Sequence, residues 1–137
     1  MATITLKGRE IPLIYTVLEM KEIQEEIASL GDFQYVILGR NKDDEEDNSL
    51  YGGPDHLNAV AKLIRILGNA GLEEQGEEPN LTDKWVLRNM KPGLLLVYAL
   101  GAFGVINEGN QMEAKEEETG PVDEGLEEQQ AKKQPGN

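Results

Sequence analysis

The sequence predicts a mainly α-helical protein, in which an N-terminal β-hairpin is followed by a compact bundle of about four helices and a disordered acidic C-terminal tail. Near the N-terminus apolar and polar residues alternate, whereas farther along the apolar residues recur every three or four positions, as they do in helices. Residues 109–137 contain almost no large apolar side chain and cannot join a core. Because 137 residues suffice for one core, we expect one helical domain over residues 1–108 and a tail over residues 109–137.

The hairpin is predicted by alternation on both sides of a short polar turn. The alternating residues are Ile4 and Leu6 before Lys7-Gly8-Arg9, and Ile11, Leu13 and Tyr15 after it. This spacing is typical of two short antiparallel strands. Because Pro12 cannot donate a backbone hydrogen bond, we expect the second strand to have a free edge at that position.

A complete start signal predicts the first helix. Thr16 stands at the N-cap with Glu19 three residues later, which is a capping box, and Tyr15 is placed to pack on Met20. Gly31 follows the last residue of the apolar pattern and is expected to end the helix in a left-handed conformation.

The remaining elements follow from apolar spacing and from breaks. Residues 32–40 fit either a helix or a short strand, and the helix is favoured. Residues 41–49 form an exposed acidic loop, and residues 57–71 form a helix. Thr82 caps the next helix, and a last helix over residues 94–106 follows a Lys-Pro-Gly break. That last helix is apolar on nearly every side, which is typical of a central helix or one that meets a partner.

The charge of the chain argues against nucleic acids and membranes as partners. The chain has 13 Lys and Arg against 26 Asp and Glu, a formal net charge of −13. It therefore lacks the basic surface that binds phosphate backbones or anionic lipids. No secretory signal is recognisable, and the longest apolar stretch is shorter than the roughly 20 residues that cross a bilayer. We expect a cytoplasmic protein that binds another protein.

Enzymatic chemistry has little support in the sequence. The chain has no cysteine, and His56, its only histidine, is more simply a polar residue near a helix start than a base or a metal ligand. Ser29 and Ser49 are the only serines, and neither lies in a nucleophile motif. The acidic loop fails the calcium-binding EF-hand pattern because Asn48 stands where glycine is required. We therefore expect no catalytic residues, no metal and no cofactor.

The last two helices are the expected partner-binding surface. Large rigid aromatic groups dominate interface energetics, and a helix this apolar can accept an apolar partner. Core packing is nevertheless the favoured interpretation of the aromatic residues themselves, because a domain with only seven of them needs most of them inside. Gly101 and Gly104 are expected to permit close packing of helices. The candidate partner-binding residues are Trp85, Leu94, Leu95, Tyr98, Ala102 and Phe103.

The order of these elements resembles a known family. The hairpin with Lys7-Gly8-Arg9 leads to Tyr15-Thr16, then to Ser29-Leu30-Gly31, Leu81-Thr82-Asp83 and the break at Pro92. Over residues 1–108 this order is similar to that of the tail assembly chaperones of long-tailed (siphophage-type) bacteriophages and prophages of Gram-positive bacteria. Genes for these chaperones lie between those for the major tail protein and the tape measure protein.

The resemblance implies an assembly factor of the bacterial host cytoplasm that is absent from the mature virion. Such a factor binds the helical tape measure protein, keeps it soluble and helps to recruit tail-tube subunits, and self-association is possible. A minor structural component of the virion would have a similar composition. The net charge alone also suggests an acidic mimic of DNA, although many of the charges lie in a loop and the tail.

The family resemblance also implies a longer product made by programmed ribosomal frameshifting. Lys132 and Lys133 follow Ala131, and this tripeptide can be encoded as GCA AAA AAG, which contains a run on which two tRNAs can slip. The plainer interpretation is two lysines that moderate an acidic tail. Slippage there would append a second segment that could contact the major tail protein through a flexible linker.

Overall fold

In the computed structural model, backbone is described for residues 2–118 and side chains for residues 2–110. The chain divides into two units, Met1–Val105 and Ile106–Asn137. The elements in order are β1 (Thr3–Leu6), β2 (Arg9–Pro12), α1 (Val17–Glu26), α2 (Leu30–Leu38), α3 (Pro54–Glu74), α4 (Asp83–Asn89), a one-turn 3₁₀ helix (Pro92–Leu94) and α5 (Leu95–Glu118). The mainly helical fold with an N-terminal hairpin is confirmed.

The two strands form an antiparallel hairpin that packs on α3. Ile4 pairs with Ile11 and Leu6 with Arg9, and the turn between them holds Lys7 and Gly8 at positive φ. Behind β2, the amide of Ile14 donates to the carbonyl of Leu67 in α3 at 3.1 Å. The sheet therefore closes over the apolar face of the longest helix of the first unit.

The capping box of α1 is confirmed, but the expected end of that helix is wrong. The Thr16 amide donates to the Glu19 carboxylate at 2.8 Å, and this carboxylate is buried. Gly31 does not end the helix, because α1 stops at Glu26 and Gly31 lies in the first turn of α2. The break between α1 and α2 changes which apolar residues face the core. Leu30 is exposed, and the next buried side chains are Phe33 and Ile37.

Residues 32–40 are largely helical, as favoured from the sequence, and α2 ends at Gly39 with φ 69°. After it, the acidic loop is exposed as expected and is held by turns in which side chains bond the backbone. The Asn41 carbonyl oxygen accepts from the amide of Asp43 at 2.9 Å, and the Asp47 carboxylate accepts from the amide of Ser49 at 2.9 Å. The loop is therefore ordered by its own polar side chains.

Helix α3 is the centre of the first unit. It begins at Pro54, a residue preorganised for the first helical turn, and it extends a few residues beyond the expected range at both ends. Strand β2 and helices α1, α2 and α4 pack against it. The fully buried side chains of α3 are Val60, Ala61, Leu63, Ile64, Leu67 and Leu72.

The structure shows how the last helix packs, and this helix is longer than expected. In α4 the amide of Trp85 donates to the Thr82 hydroxyl at 3.1 Å, and the expected break follows at Pro92. Within the first unit α5 buries one side and exposes the other, whereas the sequence left open whether this helix is central or meets a partner. The helix then continues to Glu118, past the expected boundary at residue 108, because residues 111–118 are mostly strong helix formers. Residues 119–137, the rest of the predicted tail, lie outside the described residues.

Candidate partner-binding surface

The structure separates the six candidate partner-binding residues into three groups. Leu95, Tyr98 and Ala102 are buried, Trp85 and Phe103 are half-buried, and Leu94 is exposed. A helix that is apolar on nearly every side carries no information about which side faces the core. The orientation of α5 is therefore set by its packing, and three of the six candidates, Leu95, Tyr98 and Ala102, face the core.

Tyr98 is the clearest correction, because only 4% of it is exposed. Its hydroxyl oxygen accepts a hydrogen bond from the amide of Lys91 at 3.0 Å, which ties α5 to the end of α4. A partner cannot reach this ring without displacing it from the core. Tyr98 thus packs in the core of the first unit and is not part of its accessible surface.

The other two aromatic candidates are also engaged within the chain. The Phe103 ring meets the Phe33 ring edge-on at a centroid distance of 5.5 Å. The Arg9 guanidinium lies over the Trp85 ring at 5.8 Å from its centroid, a cation–π contact between the hairpin and α4. Trp85 nevertheless remains partly accessible.

The accessible apolar residues of α5 form one continuous surface, here called the α5 stripe. With about 100° between successive residues, Leu96, Val97 and Leu100 lie within about 100° of the helix circumference. They are 46%, 61% and 52% exposed. Gly101 and Gly104 lie beside them on the same side of the helix, and exposed Gly93 precedes them. Because α5 is apolar on nearly every side, the sequence pattern does not distinguish these exposed residues from the buried ones.

The glycines of the stripe have no packing role within the described chain. A Cβ atom added at Gly93, Gly101 or Gly104 would have no described atom within 4 Å. Glycine in an exposed helix costs roughly 1 kcal/mol relative to alanine. The close packing expected at Gly101 and Gly104 is therefore not made inside this unit, and the space beside the helix backbone is open.

The stripe belongs to a segment that is long and apolar enough to cross a membrane by length and composition. This segment is Pro92–Asn110, of which 33% is buried inside the molecule. It exceeds the expected range of 94–106 because the residues on either side carry little charge. Helices in the core of a protein pass the same test. Length and composition therefore do not establish whether this segment lies in a membrane.

His56 has a structural environment. Only 3% of it is exposed, and its Nδ1 accepts a hydrogen bond from the amide of Gly52 at 2.9 Å. Nε2 then carries the proton and donates to the carbonyl of Ile37 at 2.8 Å. Both ring nitrogens are thus engaged in hydrogen bonds that join α2 to the start of α3.

Among the described residues no cluster of three or more potential ligands could hold a metal ion. The acidic loop uses its oxygens within itself, since Asp47 also accepts from the side chain of Asn41 at 3.2 Å. Hydrogen bonds from Ser49 and Asn41 hold the pKa of Asp47 below its usual value. The Asp47 carboxylate is therefore engaged within the loop itself.

A network of charged groups joins α1, α3 and α4. Arg65 bonds Glu26 and also Asp83, whose other oxygen accepts from Lys62 at 2.8 Å. Partial burial raises the pKa of Asp83, but the hydrogen bonds and charges of Lys62 and Arg65 outweigh it and lower the pKa overall. The pKa of Glu22 on α1 is raised by burial and by the neighbouring carboxylates of Glu19 and Glu26.

The comparisons with other proteins place the chain in no family. No protein-family model matches it, and no curated protein and no solved structure matches it either.

Proposed function

We propose that this protein is a phage tail assembly chaperone that binds the helical tape measure protein through the α5 stripe, keeps it soluble and helps to recruit tail-tube subunits. The observation that carries the proposal is the exposed row of Leu96, Val97 and Leu100 on a helix that is anchored by its opposite side. The resemblance in the order of elements supplies the identity of the client. The protein acts by binding and has no catalytic role.

The geometry of the stripe suits a helical client. Its three large apolar side chains, Leu96, Val97 and Leu100, lie on one side of α5, and together with Gly101 and Gly104 they extend over about two turns, a length of about 12 Å. An amphipathic helix of about eight residues covers that length with its own apolar side. A tape measure protein presents many such segments in succession, so many chaperone copies can coat one client.

The charge of the protein supports a solubilising role. A complex of an apolar client with several copies of a chain of net charge −13 carries a large negative charge, and like charge keeps such particles apart. The acidic residues are spread over the exposed loop 41–49, the helix surfaces and residues 107–137. The protein acts in the host cytoplasm and is absent from the mature virion.

A longer frameshifted product is part of this proposal. Slippage at the codons of Lys132 and Lys133 would give a minor product whose extension contacts the major tail protein while the folded unit holds the tape measure protein. Tethering both through one linker raises their effective concentration near each other. Sequencing of the gene decides the matter, because codons that cannot re-pair in the shifted frame exclude slippage.

Co-expression with the tape measure protein, which we expect to be the long, helix-rich protein encoded immediately downstream, tests the proposed function. We expect that protein to be insoluble alone and to become soluble and co-purify when this chain is present. Replacing Leu96 and Leu100 by serine should abolish co-purification, whereas the same change at Leu18 and Leu50, which are equally exposed elsewhere, should not. Equal effects of the two pairs, or detection of the chain in purified virions, would contradict the proposal.

A further inference from the structure

The longest stretch of the sequence without an acidic residue runs from position 84 to position 107. Its side chains that carry charge are Lys84, Arg88 and Lys91, and all three are exposed. In a chain of net charge −13 this segment therefore has a local charge of +3. The α5 stripe lies within the same segment and begins directly after Lys91.

These three cations have no partners among the described residues. Other basic residues of the chain are engaged with carboxylates, namely Lys21, Lys42, Lys62 and Arg65. By contrast, no described carboxylate lies within ion-pair distance of Lys84, Arg88 or Lys91. Lys84 and Arg88 lie on an open, shallow surface of α4 together with Leu87 and Asp83. The charge of Asp83 is already balanced by Lys62 and Arg65, so this surface is positive.

We infer that the surface made by the exposed residues of segment 84–104 binds an acidic amphipathic helix. Apolar side chains of that partner pack on Leu87 and the α5 stripe, and its Asp and Glu residues pair with Lys84, Arg88 and Lys91. The inference rests on the proposed function, because it names the class of client segment that the stripe accepts. Within the tape measure protein, the segments bound first are those whose apolar side is bordered by carboxylates.

Local charge outweighs total charge at physiological ionic strength. The Debye length is about 8 Å at 0.15 M salt, so carboxylates in the loop 41–49 and elsewhere are screened from a partner that lies more than this distance away. Charges in direct contact with the partner are screened much less. Lys84, Arg88 and Lys91 therefore attract an acidic helix that contacts them, although the whole protein is anionic.

Two helical peptides of about 20 residues test this inference. Both carry the same leucine and alanine stripe, and one has glutamate and the other lysine along its borders. Binding to the full chain is measured at 0.15 M salt by fluorescence anisotropy of labelled peptide. We expect the glutamate peptide to bind more tightly, and Lys84→Glu with Arg88→Glu to weaken it by about tenfold. Lys7→Glu with Arg40→Glu is the matched control, since both residues are exposed and outside the segment, and it should change the affinity little.

Tighter binding of the lysine peptide, equal losses in the two charge pairs, or no binding of either peptide would overturn the inference. A failure of the proposed function can be distinguished from a failure of this inference. If the downstream protein co-purifies with the wild type and equally well with Lys84→Glu and Arg88→Glu, the function stands and the acidic class of client is wrong. If it does not co-purify with the wild type at all, the function itself is wrong.

Discussion

His56 is a polar residue near a helix start, as favoured from the sequence, and the structure adds its partners. Its ring joins Gly52 to Ile37 through two hydrogen bonds at the α2–α3 junction. Gly39 closes the same junction, because an added Cβ would lie 2.7 Å from the Cα of Tyr51. The sequence could not reveal this, since Ile37 lies 19 positions before His56 and no local pattern links them.

Replacing His56 by alanine should lower the free energy of unfolding by about 2–4 kcal/mol, because a buried carbonyl and an amide lose their partner and a cavity forms. Asp55→Asn is the control, since Asp55 is exposed in the first turn of α3 and affects stability by less than about 1 kcal/mol. Urea denaturation measures both. Similar small losses in the two variants would show that the His56 hydrogen bonds contribute little.

The carboxylates of Asp83 and Glu22 should affect acid stability in opposite directions. The folded-state pKa of Asp83 is lowered, so its stabilisation is present above the unfolded pKa of about 3.9 and is lost as pH falls through the folded value. Asp83→Asn should therefore flatten the loss of stability below about pH 4. The pKa of Glu22 is raised, so its protonation on acidification is favourable to the folded state, and Glu22→Gln should steepen that loss.

Urea unfolding at several pH values between about 3 and 7 measures both slopes. Parallel curves for the wild type and Asp83→Asn would mean that Lys62 and Arg65 do not hold the Asp83 carboxylate in solution.

Among the secondary-structure elements, local signals predicted most boundaries and non-local packing decided the rest. The capping box at Thr16, the cap at Thr82 and the break at Pro92 each lie within a few residues of the boundary they set. Gly31 does not mark the end of α1. The helix stops earlier, at Glu26, and Gly31 lies in a second helix whose buried residues are Phe33 and Ile37. The buried side of α5 could not be predicted because apolar residues occupy both sides.

The same substitution in two helices should have opposite effects on stability. At Gly71 in α3 an added Cβ would lie 2.0 Å from the carbonyl oxygen of Pro12, so Gly71→Ala must displace the hairpin and destabilise the fold. At Gly101 in α5 nothing described lies within 4 Å, so Gly101→Ala should stabilise by about 1 kcal/mol through helix propensity. Thermal denaturation separates the two variants. A loss of stability in Gly101→Ala would mean that this side of α5 is not open.

At the scale of the whole molecule, buried apolar side chains and the acidic excess are concentrated in different parts of the chain. Among residues 2–110, nearly all buried side chains lie in the first unit, Met1–Val105, and the acidic excess of the sequence is largest in residues 107–137. Composition predicts a domain boundary near residue 108, because a segment without large apolar side chains cannot offset its ordering entropy. It could not predict that helix α5 runs to Glu118.

A chain ending at Glu108 should keep its cooperative unfolding, with a melting temperature within about 3 °C of the full chain, because it retains the whole first unit. Calorimetry measures the transition. Loss of cooperativity would show that residues after 108 contribute to the core.

The central claim is that the exposed side of α5 contacts the client. The most direct measurement places a photo-crosslinking amino acid at Leu100, or at Leu50 as an equally exposed control, in cells that also express the tape measure protein. The account predicts a crosslinked product from position 100 and none from position 50. Crosslinking from position 50 but not from position 100, or equal crosslinking from both, would contradict it.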